Sequence, residues 1–347
     1  MTATVPIHQP TAPDTAALRV SGLGVDVLGP YGWMPVVENA GFSVSRGQTL
    51  GIVGESGSGK TVSSLAIMRL LDPRTTRIHA DQLHLGETDL TRLNRRQLDR
   101  VRGSRISMVF QEPMTSLDPS YTVGEQVAAP LRRHLGLGRK AALKRAARML
   151  DLVGIAKAEQ RLGAYPHEFS GGMRQRVMIA AALVCEPEVL IADEPTTALD
   201  VTIQAQILDL LRSMRDEFGL ALVIITHNMG VVADICDHVA VMYAGQVVER
   251  SPIDQLFADP AHPYTAKLMR STPRLDDASA TPEFVPGSQP DLANLPPGCR
   301  FHPRCEYAVE RRCDLDPIEL VTLEAGAETP RRVRCVRHGE LDLRSNR

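Results

Sequence analysis

The sequence predicts an α/β fold organised around a mainly parallel sheet. Residues Thr49 to Val53 read as a buried strand that runs into a glycine-rich turn and then into a helix over Val62 to Leu71. Between about Gln111 and Arg176 the apolar residues recur at helical spacing. Two further aliphatic strands follow at Val189 to Ala192 and Leu220 to Thr226. Strands that alternate with helices in this way are typical of parallel α/β sheets.

Bulk composition narrows the function. With 347 residues, 43% of them hydrophobic and 23% charged, the chain is long enough for about two globular domains. A formal net charge of -2 gives no basic footprint, so no nucleic-acid partner is expected. No apolar run approaches the roughly 18 residues of a membrane span, and the N-terminal segment lacks the basic start and apolar block of a secretory signal. Work at a membrane is therefore expected to require a partner.

Composition changes along the chain predict three parts. Residues 1–16 are polar and rich in Pro and Thr, so we expect a disordered lead-in. Residues 17–258 are expected to form the main domain, with a helical subdomain at about 112–176. After Ala258 prolines recur and the apolar periodicity fades, so residues 259–347 are expected to form a small extension.

A phosphate-binding loop is predicted at residues 54–61. Glycines let the backbone curl so that successive N–H groups point at phosphate oxygens, Lys60 adds a charge near the β and γ phosphates, and the Thr61 hydroxyl can ligate Mg²⁺. The loop follows a strand and precedes a helix, which is the context this motif requires. The candidate nucleotide-binding residues are Gly54, Glu55, Ser56, Gly57, Ser58, Gly59, Lys60 and Thr61.

A second strand supplies two carboxylates. Residues 189–194 read Val-Leu-Ile-Ala-Asp-Glu, an aliphatic strand that ends in Asp193 and Glu194. Ligands of parallel sheets lie at the carboxyl ends of the strands. Asp193 is therefore predicted to hold Mg²⁺ through water, and Glu194 to polarise the water that attacks the γ-phosphate.

The segment Phe169-Ser170-Gly171-Gly172-Met173 resembles the signature sequence of ABC transporters. A helix that begins at Ser170 offers unpaired N–H groups to a phosphate. The resemblance implies that Ser170, Gly171 and Gly172 bind the γ-phosphate held by the other ATPase of a head-to-tail dimer. Phe169 and Met173 depart from the commonest form, Leu-Ser-Gly-Gly-Gln, while the Ser-Gly-Gly is intact.

The resemblance assigns further residues. Gln111 matches the glutamine that reaches Mg²⁺ and signals to the membrane partner, and His227 matches the histidine that contacts the γ-phosphate. Asp200, in Ala198-Leu199-Asp200, matches the loop that meets the opposite subunit. The adenine-stacking position falls near Val27, which has no ring, so the adenine contact stays open, with Tyr31 and Trp33 as alternatives.

The end of the chain resembles the ATPases of dipeptide and oligopeptide importers. The similar segments are Gln111 to Pro119, Tyr243 to Glu249, His262 to Thr265, Pro297 to Cys299 and Pro303 to Cys305. The resemblance is to the D-type subunit and implies a second ATPase subunit as heterodimer partner, two transmembrane permease subunits, and an extracytoplasmic peptide-binding protein. It places the chain peripherally at the cytoplasmic face of the cell membrane.

Other functions stay open at this point. ATPases of nickel and glutathione importers share these motifs, so the cargo is not fixed by them. An ABC ATPase without a membrane partner is less favoured, since no second cassette or long coiled-coil insertion is evident. An exporter ATPase is disfavoured because the chain carries no membrane spans.

Four of the six cysteines lie in the extension: Cys299, Cys305, Cys313 and Cys335. Four thiolates can hold a zinc ion or a [4Fe–4S] cluster. Their intervals of five, seven and 21 residues are wider than the usual zinc knuckle and favour the cluster, as does the resemblance. Zinc, or thiols that are free or disulfide-bonded, are the alternatives. Because the extension is a separate domain in this interpretation, ATP binding is expected to be independent of these cysteines.

Overall fold

The computed structural model describes residues 16–30, 32–111, 116–197, 199–271, 285–323 and 330–344, and it confirms the predicted α/β fold. The strands are β1 (Ala16–Gly29), β2 (Gly32–Ser45), β3 (Thr49–Val53), β4 (Thr76–His79), β5 (Gln82–Leu85), β6 (Thr88–Asp89), β7 (Ile106–Val109), β8 (Val189–Asp193), β9 (Ala221–Thr226), β10 (His238–Tyr243), β11 (Gln246–Pro252), β12 (Val321–Thr322) and β13 (Arg332–Val333). The helices are α1 (Lys60–Ile67), α2 (Arg95–Val101), α3 (Val123–Leu135), α4 (Arg139–Leu152), α5 (Ala158–Arg161), α6 (Gly171–Leu183), α7 (Val201–Phe218), α8 (Met229–Ile235), α9 (Ile253–Ala258) and α10 (Pro263–Arg270), with single 3-10 turns at Pro166–Glu168 and His302–Arg304.

The central sheet has the strand order β12-β13-β11-β10-β3-β9-β8-β7. Strands β10, β3, β9, β8 and β7 are parallel, whereas β11, β13 and β12 continue the sheet in antiparallel pairs. Strand β9 lies between β3 and β8, with Thr226 opposite Val53 and Ile225 opposite Asp193. The carboxyl ends of these three strands therefore meet at one edge, where ligands of parallel sheets bind.

Two cores cover the two faces of this sheet. One lies against a second, antiparallel sheet of order β2-β1-β5-β6, in which β4 also pairs with β1. The other lies against the helices. Successive residues of a strand point to opposite faces, so Ile52 joins the first core and Val53 the second. Of the two cysteines outside the extension, Cys236 is buried and Cys185 is half-buried.

Helix α1 differs from its prediction over Val62 to Leu71. It begins at Lys60 because Gly59, with φ 96°, turns the chain directly into the helix. It ends at Ile67, and Arg69 adopts a left-handed φ of 54°.

The extension is built onto the central sheet. Strand β13 pairs with β11, with Val333 opposite Glu249, and β12 pairs with β13. Helix α10 carries Tyr264, which is fully buried. Among the residues that the structure describes, no helix is long and apolar enough to cross a membrane.

Candidate functional site

The phosphate loop joins β3 to α1 in a tight curl. A side chain at Gly54 would collide with the Met242 carbonyl oxygen, so only glycine fits there. The Ser58 amide donates to the Glu55 carbonyl at 3.2 Å, and the Ser58 carbonyl accepts from the Gly245 amide at 3.0 Å. The loop is thereby held against the turn between β10 and β11, with the N–H groups of the first turn of α1 available to a phosphate.

Lys60 folds back over its own loop. Its ammonium donates to the carbonyl oxygens of Gly54 at 2.8 Å and Glu55 at 2.9 Å. Burial lowers the pKa of Lys60, and the nearby carboxylates of Glu194, Asp193 and Glu55 oppose this effect. A phosphate that entered the loop could replace the two carbonyls as the partner of this ammonium.

Asp193 and Thr61 form a site that suits Mg²⁺. Asp193 is 1% exposed, and the Thr61 side chain is near enough to act on the pKa of its carboxyl group. Burial raises the pKa of Asp193, with Glu194 adding to the rise, while Thr61 and Lys60 oppose it. Its Oδ1 atom is buried without a hydrogen-bond partner among the described residues. Mg²⁺ prefers oxygen ligands, so an orphaned carboxylate oxygen beside a hydroxyl fits that ion.

Glu194 is held by two neighbours just beyond β8. Its Oε1 lies 2.9 Å from Nδ1 of His227, which follows β9, and its Oε2 accepts from the Thr197 hydroxyl at 2.5 Å. Burial alone would raise the pKa of Glu194, but the bonds from Thr197 and His227 and the nearby Lys60 outweigh it and lower the pKa. Glu194 is therefore ionised at neutral pH. Its φ of 46° places it in the left-handed region, a strain that is often found at functional sites.

Five of the predicted residues are thus brought together at one edge of the sheet: Lys60, Thr61, Asp193, Glu194 and His227. Thr197 was not predicted, because its hydroxyl reaches Glu194 only through a turn that the motifs do not specify. Gln111 lies two residues after β7 and is exposed. Glu112 to Thr115, part of the segment similar to peptide importers, lie outside the described residues.

The signature residues and Asp200 occupy exposed helix starts. Ser170 caps α6 by accepting from the Met173 amide at 3.4 Å, and Asp200 caps α7 by accepting from the Ile203 amide at 2.9 Å. At Gly172 a side chain would approach Ile203 to 2.8 Å, so the two helix starts are packed together. Ala198 lies outside the described residues.

The adenine contact is not assigned by the structure. Val27 lies in β1 and is half-buried. The Arg77 guanidinium lies 3.9 Å from the centroid of the Trp33 ring, so one face of that ring is covered. Tyr31 lies outside the described residues.

Two contacts to the phosphate loop come from the extension, and the sequence did not predict them. The Tyr264 hydroxyl accepts from the Glu55 amide at 2.9 Å. The Arg304 guanidinium donates to both carboxylate oxygens of Glu55, at 2.7 and 3.0 Å. Arg304 was not a candidate, since the segment Pro303 to Cys305 was interpreted as part of the similarity to peptide importers and its cysteine as a metal ligand, with no role for the arginine.

The four cysteines of the extension line one cavity, together with His262 and Phe301. The backbone N–H of Val309 lies 3.4 Å from Cys313 Sγ. The backbone at Phe301, Tyr307 and Arg337 favours the thiolates of Cys299, Cys305 and Cys335 and so acts to lower the pKa of each. Burial raises the pKa of Cys299 to about 12 and that of Cys305 to about 11, and it also raises that of Cys335. Within the described ranges no group of three or more His, Cys, Asp or Glu residues is arranged to hold a metal ion.

Solved structures similar to this one are ATP-binding cassettes. CbiO1 from Clostridium perfringens, part of an ABC transporter complex, matches with a TM-score of 0.59 and 30% identity, over 71% of this chain and 92% of that one. The dimeric cassette MJ0796, in a post-hydrolysis state bound to ADP and phosphate, matches with a TM-score of 0.59 and 26% identity, over 68% and 98%. The fold and the site together define an ATPase of the ATP-binding cassette class, which uses ATP with Mg²⁺.

Sequence comparison narrows the class. Residues 37–197 match the ABC transporter family, and residues 248–313 match the oligopeptide/dipeptide transporter C-terminal region. A relative in Brucella melitensis, whose assigned name is that of a peptide import ATP-binding protein, is 50% identical over 317 residues, 88% of this chain and 92% of its own length. The oligopeptide transport ATP-binding protein AppD of Bacillus subtilis is 47% identical over 307 residues, 88% and 92%. The chain belongs to the ABC transporter ATP-binding subunits of the oligopeptide/dipeptide transporter family.

Proposed function

We propose that this chain is the ATPase subunit that powers import of dipeptides or oligopeptides across the cytoplasmic membrane. The observation that carries the proposal is the cluster at the edge of the central sheet, where the Glu194–His227 pair and Asp193 lie beside the phosphate loop. The match of residues 248–313 to the oligopeptide/dipeptide transporter region supports the cargo, as do the names of the two relatives.

In this proposal the residues of one subunit bind and orient ATP. The loop amides and Lys60 hold the phosphates. Thr61, Asp193 and Gln111 would hold Mg²⁺, which when bound neutralises charge on the β and γ phosphates. Glu194 orients and deprotonates the attacking water, since it is ionised and fixed at both oxygens. His227 holds Glu194 in place and faces the γ-phosphate.

A partner subunit completes the site. The exposed N-terminus of α6, at Ser170 to Gly172, would contact the γ-phosphate bound by the partner, and Asp200 would lie at the interface. We propose a second, F-type ATPase subunit as that partner, two permease subunits docked near Gln111, and an extracytoplasmic binding protein that delivers the peptide. The chain would then sit peripherally at the cytoplasmic face of the membrane.

We also propose the division of the chain into residues 1–16, 17–258 with a helical subdomain at about 112–176, and 259–347.

Reconstituted transport tests this function. The full chain is assembled with its permeases and second ATPase in liposomes, and uptake of labelled di- and oligopeptides is measured with the binding protein present. ATP-dependent peptide uptake that Lys60→Ala abolishes is the expected result. Uptake of nickel or glutathione instead would assign the transporter to a related importer. Failure of the tagged chain to co-purify with any polytopic membrane protein would contradict a transport role.

For the cysteine cavity we propose a [4Fe–4S] cluster with Cys299, Cys305, Cys313 and Cys335 as ligands, and zinc as the alternative. The shared cavity and the Val309 N–H group directed at Cys313 Sγ support this assignment. Such N–H bonds stabilise thiolates, which burial alone would disfavour. A structural role is favoured, since a small extension has little core of its own.

Purification without oxygen tests the cluster. The protein should be brown, absorb broadly near about 400 nm, and contain roughly four iron atoms per chain. Changing Cys305 or Cys313 to Ser should remove the colour, whereas Cys185→Ser, outside the cavity, should keep it. Stoichiometric zinc without iron would favour the alternative, and four free thiols without metal would refute both assignments.

A further inference from the structure

We propose that Arg304, in the extension, is a positioning residue for ATP binding because it holds Glu55 of the phosphate loop and neutralises its charge. The inference deepens the proposed function, since it rests on ATP binding at residues 54–61. It assigns to the extension a direct part in forming the nucleotide site. Arg304 itself is not placed in contact with ATP.

The ion pair between Arg304 and Glu55 is bidentate and shielded. The two N–H···O distances are 2.7 and 3.0 Å, and the side chains are 8% and 26% exposed. The Arg304 Nε atom also donates to the Pro286 carbonyl at 2.7 Å. Bidentate Arg–carboxylate pairs fix direction as well as charge, so Glu55 has one defined orientation.

The Arg304 side chain also packs against aromatic rings. The guanidinium carbon lies 5.7 Å from the centroid of the Tyr243 ring and 6.0 Å from that of the Phe301 ring. These rings pack with Tyr264 at centroid distances of 4.7 to 5.3 Å. Because the Tyr264 hydroxyl accepts from the Glu55 amide, the same cluster holds both the backbone and the side chain of Glu55.

The charge of Glu55 matters because of its place in the loop. The Glu55 carbonyl accepts from the Lys60 ammonium, and its carboxylate is among the groups that act on Lys60 electrostatically. A triphosphate bound by Lys60 would therefore lie near this carboxylate. Without Arg304 the two negative charges would repel each other across a partly desolvated site, and ATP would bind more weakly.

A test compares charge variants of the full chain by equilibrium titration with ATP and adenosine and by steady-state ATPase assays of the assembled transporter. Arg304→Gln should raise the Kd and KM for ATP by about 10-fold, on the order of one close like-charge repulsion, with a much smaller change in kcat. Arg304→Lys should restore most of the affinity. Adenosine, which carries no phosphate, should bind all of these variants equally.

Removing the unpaired carboxylate of Glu55 should restore ATP affinity to the Arg304→Gln variant. Arg304→Gln combined with Glu55→Gln should bind ATP more tightly than Arg304→Gln alone, because the repelling carboxylate is gone. The matched control is Arg312→Gln, which breaks the exposed Arg312–Glu340 pair of the same extension and should leave the KM unchanged. If Arg304→Gln does not fold, Arg304→Met, which removes the charge but keeps apolar packing on the rings, carries the same test with Arg304→Lys as its control.

Three results would overturn the inference. The first is an unchanged KM in Arg304→Gln, and the second is no rescue in the double variant. The third is an equal loss of ATP affinity in Arg312→Gln, which would show that the extension acts only through general stability. Unchanged ATP binding in Lys60→Ala would instead refute ATP binding at residues 54–61, so the two failures are distinguishable.

Discussion

Replacing Glu249 by glutamine tests the pKa of a buried carboxylate that joins the extension to the central sheet. Glu249 lies on β11 and is 1% exposed. Its two carboxylate oxygens accept from the amides of Ala261 at 2.8 Å and His262 at 2.9 Å, at the start of α10. The Arg331 guanidinium lies 3.9 Å away. Burial disfavours the charged carboxylate, while these donors favour it, and the balance decides how stability depends on pH.

Burial prevails, and it raises the pKa of Glu249 from an ordinary 4.5 to about 7. Between pH 4.5 and 7 the carboxyl of Glu249 keeps its proton in the folded protein and releases it in the unfolded chain. This proton therefore contributes fully to the unfolding free energy below pH 4.5, and its contribution is lost as pH rises towards 7. At about 1.36 kcal/mol per pH unit, this amounts to about 3 kcal/mol of unfolding free energy. The amide of Glu249→Gln does not titrate and lacks this dependence.

Urea unfolding of both proteins between pH 4.5 and 7.5 measures the effect. The stability of wild type relative to Glu249→Gln should fall by about 3 kcal/mol across this range. His262, whose pKa burial lowers to about 3, is present in both proteins, so its contribution cancels. A flat difference would show an ordinary pKa for Glu249. A difference that rises with pH would show that the N–H donors and Arg331 prevail over burial.

Two further predictions concern the reaction. Glu194→Gln should keep ATP affinity while turnover falls by at least about 10²-fold, the lower end for a lost general base, and the closed ATP-bound dimer should accumulate. Near wild-type hydrolysis would remove Glu194 from the mechanism. Ser170→Arg should abolish hydrolysis in the assembled transporter, because it places a bulky cation at the start of α6, while the isolated subunit still binds ATP through Lys60. Loss of ATP binding in the isolated subunit would contradict the proposed role of the signature.

Much of the ATP site could be predicted because its residues lie in contiguous motifs at the ends of recognisable strands. Thr49 to Val53 and Val189 to Ala192 are aliphatic enough to indicate buried strands, and parallel strands present their carboxyl ends at one edge. Asp193 was predicted from that rule, whereas Lys60 was predicted from the phosphate-loop motif and His227 from the resemblance to ABC transporters. The position of β9 between β3 and β8, which brings His227 to Glu194, was not itself predictable from the motifs.

The contacts of the extension could not be predicted in the same way. Arg304 and Glu55 are 249 residues apart, and no local pattern links them. Tyr264 was noted only as part of a segment similar to peptide importers, because a tyrosine in a short helix gives no sign of the amide that its hydroxyl will accept. The burial of Tyr264 and Arg304 against the phosphate loop follows from tertiary packing, not from local propensity.

These contacts change one expectation drawn from the sequence. ATP binding was expected to be independent of the cysteines, because they were placed in a separate domain. Arg304 directly precedes Cys305, and the 3-10 turn that holds Arg304 packs through Phe301 on the wall of the cysteine cavity. A change that loosens this turn also loosens the bidentate bond to Glu55. Phe301, which lines the cysteine cavity, and Arg304, which binds Glu55, therefore link the cavity to the phosphate loop. We expect that a loss of order in the extension also lowers the affinity for ATP.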